Sequence, residues 1–173
     1  MLAFGALIDL SVAPLASDLT TRLRLSLPAI PGCVSVSAFG DCAVAHLADA
    51  RPLPFDADLP LIDGDLVVAG TLRIDAQEVL RVALSPDAPR GLDTASDARL
   101  VAMAYRRWSD RLAEQLIGDY AFVVWDRRRR RLVCARDPHG NRQLFWGRSG
   151  SVLAVSSSIE LARSLPGASS ALY

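Results

Sequence analysis

The chain has 173 residues, a length that fits one domain with a real hydrophobic core. Its 19 basic and 19 acidic residues cancel, so overall charge favours neither nucleic acid nor an anionic membrane as a partner. No segment approaches the ~18 consecutive apolar residues of a membrane helix. The three cysteines, Cys33, Cys42 and Cys134, are scattered without metal-type spacing, which fits reduced thiols in a cytoplasm better than a disulfide framework.

The N-terminal run Ala3–Leu10 predicts a buried first strand, because Asp9 interrupts the apolar stretch and no basic segment precedes it, as a signal peptide would require. Residues 51–65 are rich in proline and aspartate and predict a loop. Short runs rich in β-branched and aromatic residues predict further strands at Cys33–Phe39, Cys42–Leu47, Leu66–Gly70, Tyr120–Trp125, Arg131–Arg136, Leu144–Gly147 and Val152–Ser156.

Three helices are predicted between and after these strands. The first covers Ala76–Leu84, with Asp75 and Glu78 in a capping-box arrangement. The second follows Ser96, which can cap it, and Gly118 is placed to end it. Its apolar residues repeat at helical spacing and form one stripe: Val101, Tyr105, Trp108, Leu112 and Leu116. Ser109 could restart the helix after a break at Trp108.

The third helix covers about Ser158–Ser164, with Ser157 and Glu160 as a capping pair and Pro166-Gly167 as its stop. Hairpin-forming strands mixed with helices favour an α+β fold over a doubly wound parallel sheet.

Several conspicuous residues have a structural interpretation beside a functional one. The five-arginine run Arg127–Arg131 could bind nucleic acid, but its place on a hairpin turn in a neutral chain favours a solvated turn. His139 could be catalytic, but a lone loop histidine is more often incidental. Arg136-Asp137 predicts a structural ion pair with nearby backbone, and His46 a core or interface residue.

A series of motifs resembles the class II glutamine amidotransferase domain at the front of asparagine synthetases. The matching residues are Gly70 in a strand before a helix, Ser96-Asp97 at a helix start, Gly118, Ala121 and Phe122 in a strand, Trp125-Asp126 in a turn, Arg136, Asp137, Gly140 and Leu144 in a loop, and Ser157–Leu165. The resemblance implies a four-layer αββα Ntn-hydrolase-like sandwich of antiparallel sheets over residues 1–167, with 168–173 as a tail or the start of a linker.

The chain departs from that family where its chemistry lies. The family has a cysteine nucleophile directly after the initiator methionine, and Leu2 stands there. Ala69 replaces the asparagine of the oxyanion hole and Thr71 replaces a glutamate. The family places an arginine shortly after a Gly-His pair to hold the glutamine carboxylate. Here His46 is followed by Leu47, Ala48 and Asp49, so the expectation is that this clamp is absent. The expectation is a chain without catalytic residues or glutaminase activity, with a vestigial pocket at Gly70, Thr71 and Asp97.

The resemblance implies an inactive domain of an asparagine-synthetase-related amide ligase, of the lasso-peptide cyclase or β-lactam synthetase type. Its expected partner is a synthetase domain in cis or trans, with a precursor peptide as a further candidate and no nucleic acid or membrane. No cofactor or metal is expected in this chain. ATP and Mg²⁺ are expected to bind only to a linked synthetase domain. The alternatives are a stand-alone binding or regulatory module and a glutamine-hydrolysing asparagine synthetase relative.

Overall fold

The computed structural model describes residues 3–11, 14–25, 34–47, 58–85 and 92–165. Two short 3₁₀ helices, Leu92–Thr94 and Ser109–Gln115, accompany the main elements. In chain order these are β1 (Ala3–Asp9), α1 (Ser17–Leu25), β2 (Val34–Phe39), β3 (Cys42–Leu47), β4 (Leu61–Asp63), β5 (Leu66–Ile74), α2 (Gln77–Leu84), α3 (Asp97–Trp108), β6 (Gly118–Asp126), β7 (Arg131–Arg136), β8 (Phe145–Ser149), β9 (Val152–Ser156) and α4 (Ile159–Ser164).

The chain divides into two compact units. The first comprises Met1–Arg51 and Gln143–Tyr173, and the second Pro52–Arg142. Each unit contains one sheet, and neighbouring strands are antiparallel in both. Helices and antiparallel sheets together confirm the predicted α+β class.

In the first unit the sheet has the strand order β2-β3-β1-β9-β8. Helices α1 and α4 each contribute a fully buried leucine, Leu23 and Leu161, to a core shared with Leu7 of the central strand β1. An added Cβ at Gly5 would lie 2.8 Å from the Leu161 side chain and 2.9 Å from that of Leu23. Both helices therefore lie close against β1, and a side chain at Gly5 would push them away.

In the second unit the sheet has the order β4-β5-β6-β7. Alternate residues of β5, such as Val68 and Leu72, enter a core with Val101 and Tyr105 of α3, because side chains of a strand point to opposite faces in turn. Leu112 of the second 3₁₀ helix completes this face and is fully buried. The stripe predicted from helical spacing is thus the side of α3 that packs on the sheet.

The predicted strands all correspond to observed ones, with Arg131–Arg136, Val152–Ser156 and Cys42–Leu47 matching at both ends. Two of the main elements were missed, and so was the short 3₁₀ helix Leu92–Thr94. Helix α1 buries only Leu23, so its sequence carries little helical periodicity. Strand β4 has three residues inside the segment predicted as a loop, and it exists because it pairs with β5.

The start of α2 differs from the prediction. Ala76 occupies the N-cap position without a capping side chain, so the capping box of Asp75 and Glu78 is wrong. The Asp75 carboxylate instead pairs with the Arg73 guanidinium at 3.1 Å. This ion pair turns the Asp75 side chain back toward β5. The carboxylate therefore does not accept hydrogen bonds from the first backbone N–H groups of α2.

The helix after Ser96 ends earlier than Gly118. The Ser96 hydroxyl accepts a hydrogen bond from the Arg99 N–H, as the predicted cap should. Ser109, at φ 55°, then breaks the helix and begins a 3₁₀ segment, one residue after the break predicted at Trp108. Gly118 is the first residue of β6 and not a helix end.

The cap of α4 lies one residue later than predicted. Ser158 is the N-cap and accepts a hydrogen bond from the Glu160 N–H. Ser157 instead accepts one from the Phe4 N–H at 3.0 Å, so it holds the start of β1. Two adjacent serines could each have capped the helix, and pairing with β1 decides between them. The predicted stop, Pro166-Gly167, lies outside the described residues.

Candidate functional site

Two residues of the predicted pocket are neighbours on β5. Gly70 pairs with Phe122 of β6, and an added Cβ at Gly70 would lie 2.4 Å from the Ala121 carbonyl oxygen. Only a residue without a side chain allows that approach. Thr71 follows at 3% exposure, and Ala69 before the glycine is fully buried. This part of β5 is therefore packed on its surroundings.

Asp97 opens α3 and is bound to the end of β5. Its Oδ2 accepts a hydrogen bond from the Ile74 N–H at 2.9 Å, and its Oδ1 accepts one from the Gln77 side-chain amide at 2.6 Å. The residue is 1% exposed. Burial raises the pKa of the Asp97 carboxyl above its usual value, although both hydrogen bonds act to lower it. Both carboxylate oxygens are thus engaged within the chain.

The structure places Gly70, Thr71 and Asp97 in the second unit, with Asp97 tied to a position three residues along β5 from Thr71. The sequence singled out these residues because they match motifs of the family. It did not predict the hydrogen bonds that Asp97 makes. Their assignment to a substrate pocket stays a prediction. Leu2, at the predicted nucleophile position, lies outside the described residues.

The loop after β7 is organised by Asp137, which is 1% exposed. Its carboxylate accepts hydrogen bonds from the backbone N–H groups of Asn141 at 3.0 Å and Arg142 at 3.1 Å. Burial acts to raise the pKa of Asp137, but the backbone hydrogen bonds outweigh it and hold the pKa below its usual value. Asp137 therefore binds nearby backbone, whereas the His139 side chain in the same loop is exposed.

The arginine turn, Arg127–Arg131, joins β6 to β7. Arg129 pairs with Asp126 at 3.3 Å, and Arg131 pairs with Asp110 at 2.8 Å. Part of the turn's positive charge is therefore balanced by carboxylates of the same unit, in agreement with its interpretation as a solvated turn.

A polar cleft of about 200 Å³ lies beside this turn and was not anticipated from the sequence. Its walls come from three separate segments: the β4–β5 turn, the last part of α3, and the arginine turn. Because these segments are far apart along the chain, no local sequence pattern indicates the cleft. The lining residues are Asp63, Gly64, Asp65, Leu66, Tyr105, Arg106, Asp126, Arg128 and Arg129.

Within the described ranges, no group of three or more histidine, cysteine or acidic side chains is arranged to hold a metal ion. Over the same part of the chain, no helix has both the length and the apolar character needed to cross a membrane. His46 is 3% exposed in β3, in keeping with the core position predicted for it.

Comparison with known proteins settles the family. A sequence model of the glutamine amidotransferase domain matches residues 53–163, well over half of the chain. The chain belongs to this family. The match covers β5, the start of α3 and the loop after β7, which carry the motifs described above.

Curated relatives of this amidotransferase domain are asparagine synthetases. One from Triphysaria versicolor, described as glutamine-hydrolyzing, is 34% identical over 78% of this chain and 23% of its own length. Another from Oryza sativa subsp. japonica is 32% identical over 88% of this chain and 26% of its own length. The domain therefore spans about a quarter of the relatives it matches.

Solved structures show the same fold at lower identity. Glutamine phosphoribosylpyrophosphate amidotransferase from B. subtilis aligns with a TM-score of 0.58 and 16% identity, over 90% of this chain and 41% of that one. A structure described as the allosteric regulatory enzyme of purine biosynthesis aligns with a TM-score of 0.53 and 18% identity, over 91% of this chain and 42% of that one. The predicted Ntn-hydrolase-like amidotransferase fold is confirmed.

Proposed function

We propose that this amidotransferase domain does not hydrolyse glutamine and supports the synthetase part of an amide ligase related to asparagine synthetase. The observation that carries the proposal is Ala69, whose side chain is fully buried in β5 directly before Gly70. The family has asparagine there as a donor to the developing oxyanion. Alanine offers no donor, and losing one such donor costs about 100- to 1000-fold in rate.

The contacts of Asp97 support the same conclusion. The Asp97 carboxylate is 1% exposed and already accepts hydrogen bonds from the Ile74 N–H and the Gln77 side-chain amide, so a substrate ammonium group could reach it only if the surrounding chain opened. In this chain Asp97 serves to fix the start of α3 against β5.

The partner in this proposal is a synthetase domain, joined in cis or bound in trans, that uses ATP and Mg²⁺. Supporting this, the relatives are asparagine synthetases of which the chain spans about a quarter. A ligase whose amine comes from its own substrate needs no ammonia from glutamine. We therefore propose a parent of the lasso-peptide cyclase or β-lactam synthetase type, working in the cytoplasm, with this domain shaping the path of a peptide or small substrate.

A glutaminase assay tests the first part. The purified 173-residue chain is incubated with L-glutamine, and glutamate release is compared with that of an active glutaminase and of heat-denatured protein. We expect release at the level of the denatured sample. Glutamate release clearly above the level of the denatured sample would overturn the proposal if it also disappears when Asp97 is replaced by asparagine. That result would show that the pocket still hydrolyses glutamine.

The second part is tested in the source organism, by measuring the mass of the native gene product and what it co-purifies with. We expect either a product several times heavier than 18.6 kDa or stable association with a separate ATP-dependent ligase. A product of this chain's own mass, isolated without such a partner, would instead favour the stand-alone binding module.

A further inference from the structure

The polar cleft beside the arginine turn lies wholly in the second unit and shares no residue with Gly70, Thr71 or Asp97. Its charged lining is balanced, with three carboxylates and three guanidinium groups: those of Asp63, Asp65, Asp126, Arg106, Arg128 and Arg129. A phosphate or a nucleic acid requires an excess of positive charge, which this cleft lacks. The balance instead suits a ligand with no net charge.

Four of the six charges already pair with one another. The Arg106 guanidinium lies 2.6 Å from the Asp63 carboxylate, and the Arg129 guanidinium lies 3.3 Å from that of Asp126. The Tyr105 hydroxyl also donates to Asp126 at 3.0 Å. These pairs hold the three segments of the wall together and leave little charge free for a ligand.

The remaining two charges are of opposite sign. Asp65 and Arg128 are both exposed, and among the described residues neither side chain forms an ion pair or a hydrogen bond. Asp65 is fixed through its backbone, because its carbonyl oxygen accepts a hydrogen bond from the Arg127 N–H at 2.9 Å. The cleft thus presents one carboxylate and one guanidinium from two neighbouring turns.

We propose that this cleft binds the zwitterionic head of a free α-amino acid. The ligand's carboxylate accepts hydrogen bonds from the forked guanidinium of Arg128, and its ammonium group donates to Asp65. Gly64 lies between Asp63 and Asp65 with nothing within 4 Å of an added Cβ, so the backbone there is open to a ligand.

The size of the cleft suits a small ligand. A volume of about 200 Å³ is below the roughly 300–1,000 Å³ of pockets that hold drug-sized molecules. It exceeds several times the ~30 Å³ share of one water molecule. A small amino acid fits within such a volume. The site would let the domain respond to an amino acid independently of its vestigial pocket.

The test is a titration of the isotope-labelled 173-residue chain with L-alanine, followed by amide NMR shifts. Two analogues each remove one charge: N-acetyl-L-alanine lacks the ammonium group, and L-alaninamide lacks the carboxylate. We expect saturable shifts at 63–66 and 127–129 with L-alanine, and at least about tenfold weaker binding of each analogue, the worth of one charge-assisted hydrogen bond. Equal binding of the three compounds, stronger binding of inorganic phosphate, or no shifts at these residues would overturn the proposal.

Two variants locate the binding groups, each with a matched control. Arg128→Gln and Asp65→Asn should each weaken L-alanine binding at least about tenfold. The controls Arg163→Gln and Asp93→Asn make the same charge changes at exposed positions outside the cleft and should bind like the wild type. Thermal melts of all four verify folding. If the cleft variants fold and bind L-alanine as the wild type does, the site is not where we place it.

Discussion

The Tyr105 hydroxyl donates a 3.0 Å hydrogen bond to Oδ2 of Asp126, joining the last part of α3 to the end of β6. Tyr105 is fully buried and Asp126 is 4% exposed. The other carboxylate oxygen, Oδ1, accepts a hydrogen bond from the Arg129 N–H at 2.9 Å. The aspartate of the Trp-Asp turn is therefore a structural acceptor that binds a helix on one side and a hairpin turn on the other.

Replacing Tyr105 with phenylalanine should destabilise the chain by about 1–2 kcal/mol, because the ring still packs but the buried Asp126 oxygen loses a donor. Urea unfolding monitored by circular dichroism measures the loss. Tyr120→Phe is the matched control, since among the described residues the Tyr120 hydroxyl makes only a long 3.4 Å contact to the Ala113 carbonyl oxygen. The control should cost less than half as much. Equal losses would mean that the Tyr105–Asp126 bond contributes nothing specific.

Acid should weaken the fold through two carboxylates. Burial acts to raise the pKa of both Asp126 and Asp137. Backbone N–H hydrogen bonds outweigh it at Asp137, and the Arg129 N–H, the Tyr105 hydroxyl and the Arg129 guanidinium together outweigh it at Asp126, so both pKa values lie below the usual 3.8. The unfolded chain then binds more protons than the folded one as pH falls. The stability these groups contribute is present above about pH 4 and is lost below it, through the lowered pKa values.

The measurement is the urea midpoint of unfolding between pH 7 and pH 2.5. We expect the wild type to lose stability steeply below pH 4. Asp137→Asn should be less stable at pH 7, because one of its acceptors for the loop N–H groups is gone, and its curve should be flatter in acid. A variant curve parallel to that of the wild type would mean that Asp137 is not among the groups responsible.

Asp97→Asn should cost about 1–3 kcal/mol at pH 7, because one of the two donors at Ile74 and Gln77 would face the amide NH₂ in place of an acceptor oxygen. Chemical denaturation of the variant measures this. Asp93→Asn, an exposed change four residues earlier, is the control and should be nearly neutral. A neutral Asp97→Asn would remove the structural role assigned to Asp97.

The fold was largely predictable because its elements follow local rules. Strands β7 and β9 are short runs ended by turns, and the stripe from Val101 to Leu112 repeats at helical spacing, so each could be read from its own residues. Helix α1 and strand β4 could not, since the first buries only Leu23 and the second depends on pairing with β5. The capping errors at Asp75 and Ser157 have the same origin. Each side chain had two possible partners, and tertiary contacts selected the one that local spacing could not show.

The site was predictable only as far as the family motifs reach. Gly70 and Asp97 were identified because they stand in recognisable sequences, and the replacement of the family's asparagine by Ala69 is a prediction from the same resemblance. Nothing local indicated that Asp97 would bond both Ile74 and Gln77. The cleft containing Asp65 and Arg128 was missed for a similar reason, since those residues are more than sixty positions apart and only the sheet brings their turns together.

The sharpest test of the pocket region is Gly70→Ala. An added methyl group would lie 2.4 Å from the Ala121 carbonyl oxygen and 2.6 Å from the Cα of Phe122, both on the paired strand β6. Backbone in a sheet cannot move aside without breaking its ladder, so we expect a loss of more than about 3 kcal/mol or failure to fold, beyond the usual range for overpacking.

Gly64→Ala separates this clash from the general cost of replacing a glycine. Gly64 has a φ of +62° but open space around an added Cβ, so only backbone strain of about 1–2 kcal/mol is expected. Soluble yield and urea unfolding of both variants give the comparison. If Gly70→Ala is no more damaging than Gly64→Ala, β5 and β6 separate more easily than their pairing indicates. The strand that carries Ala69 and Thr71 would then have room to open toward a ligand, and the case for a closed, inactive pocket would weaken.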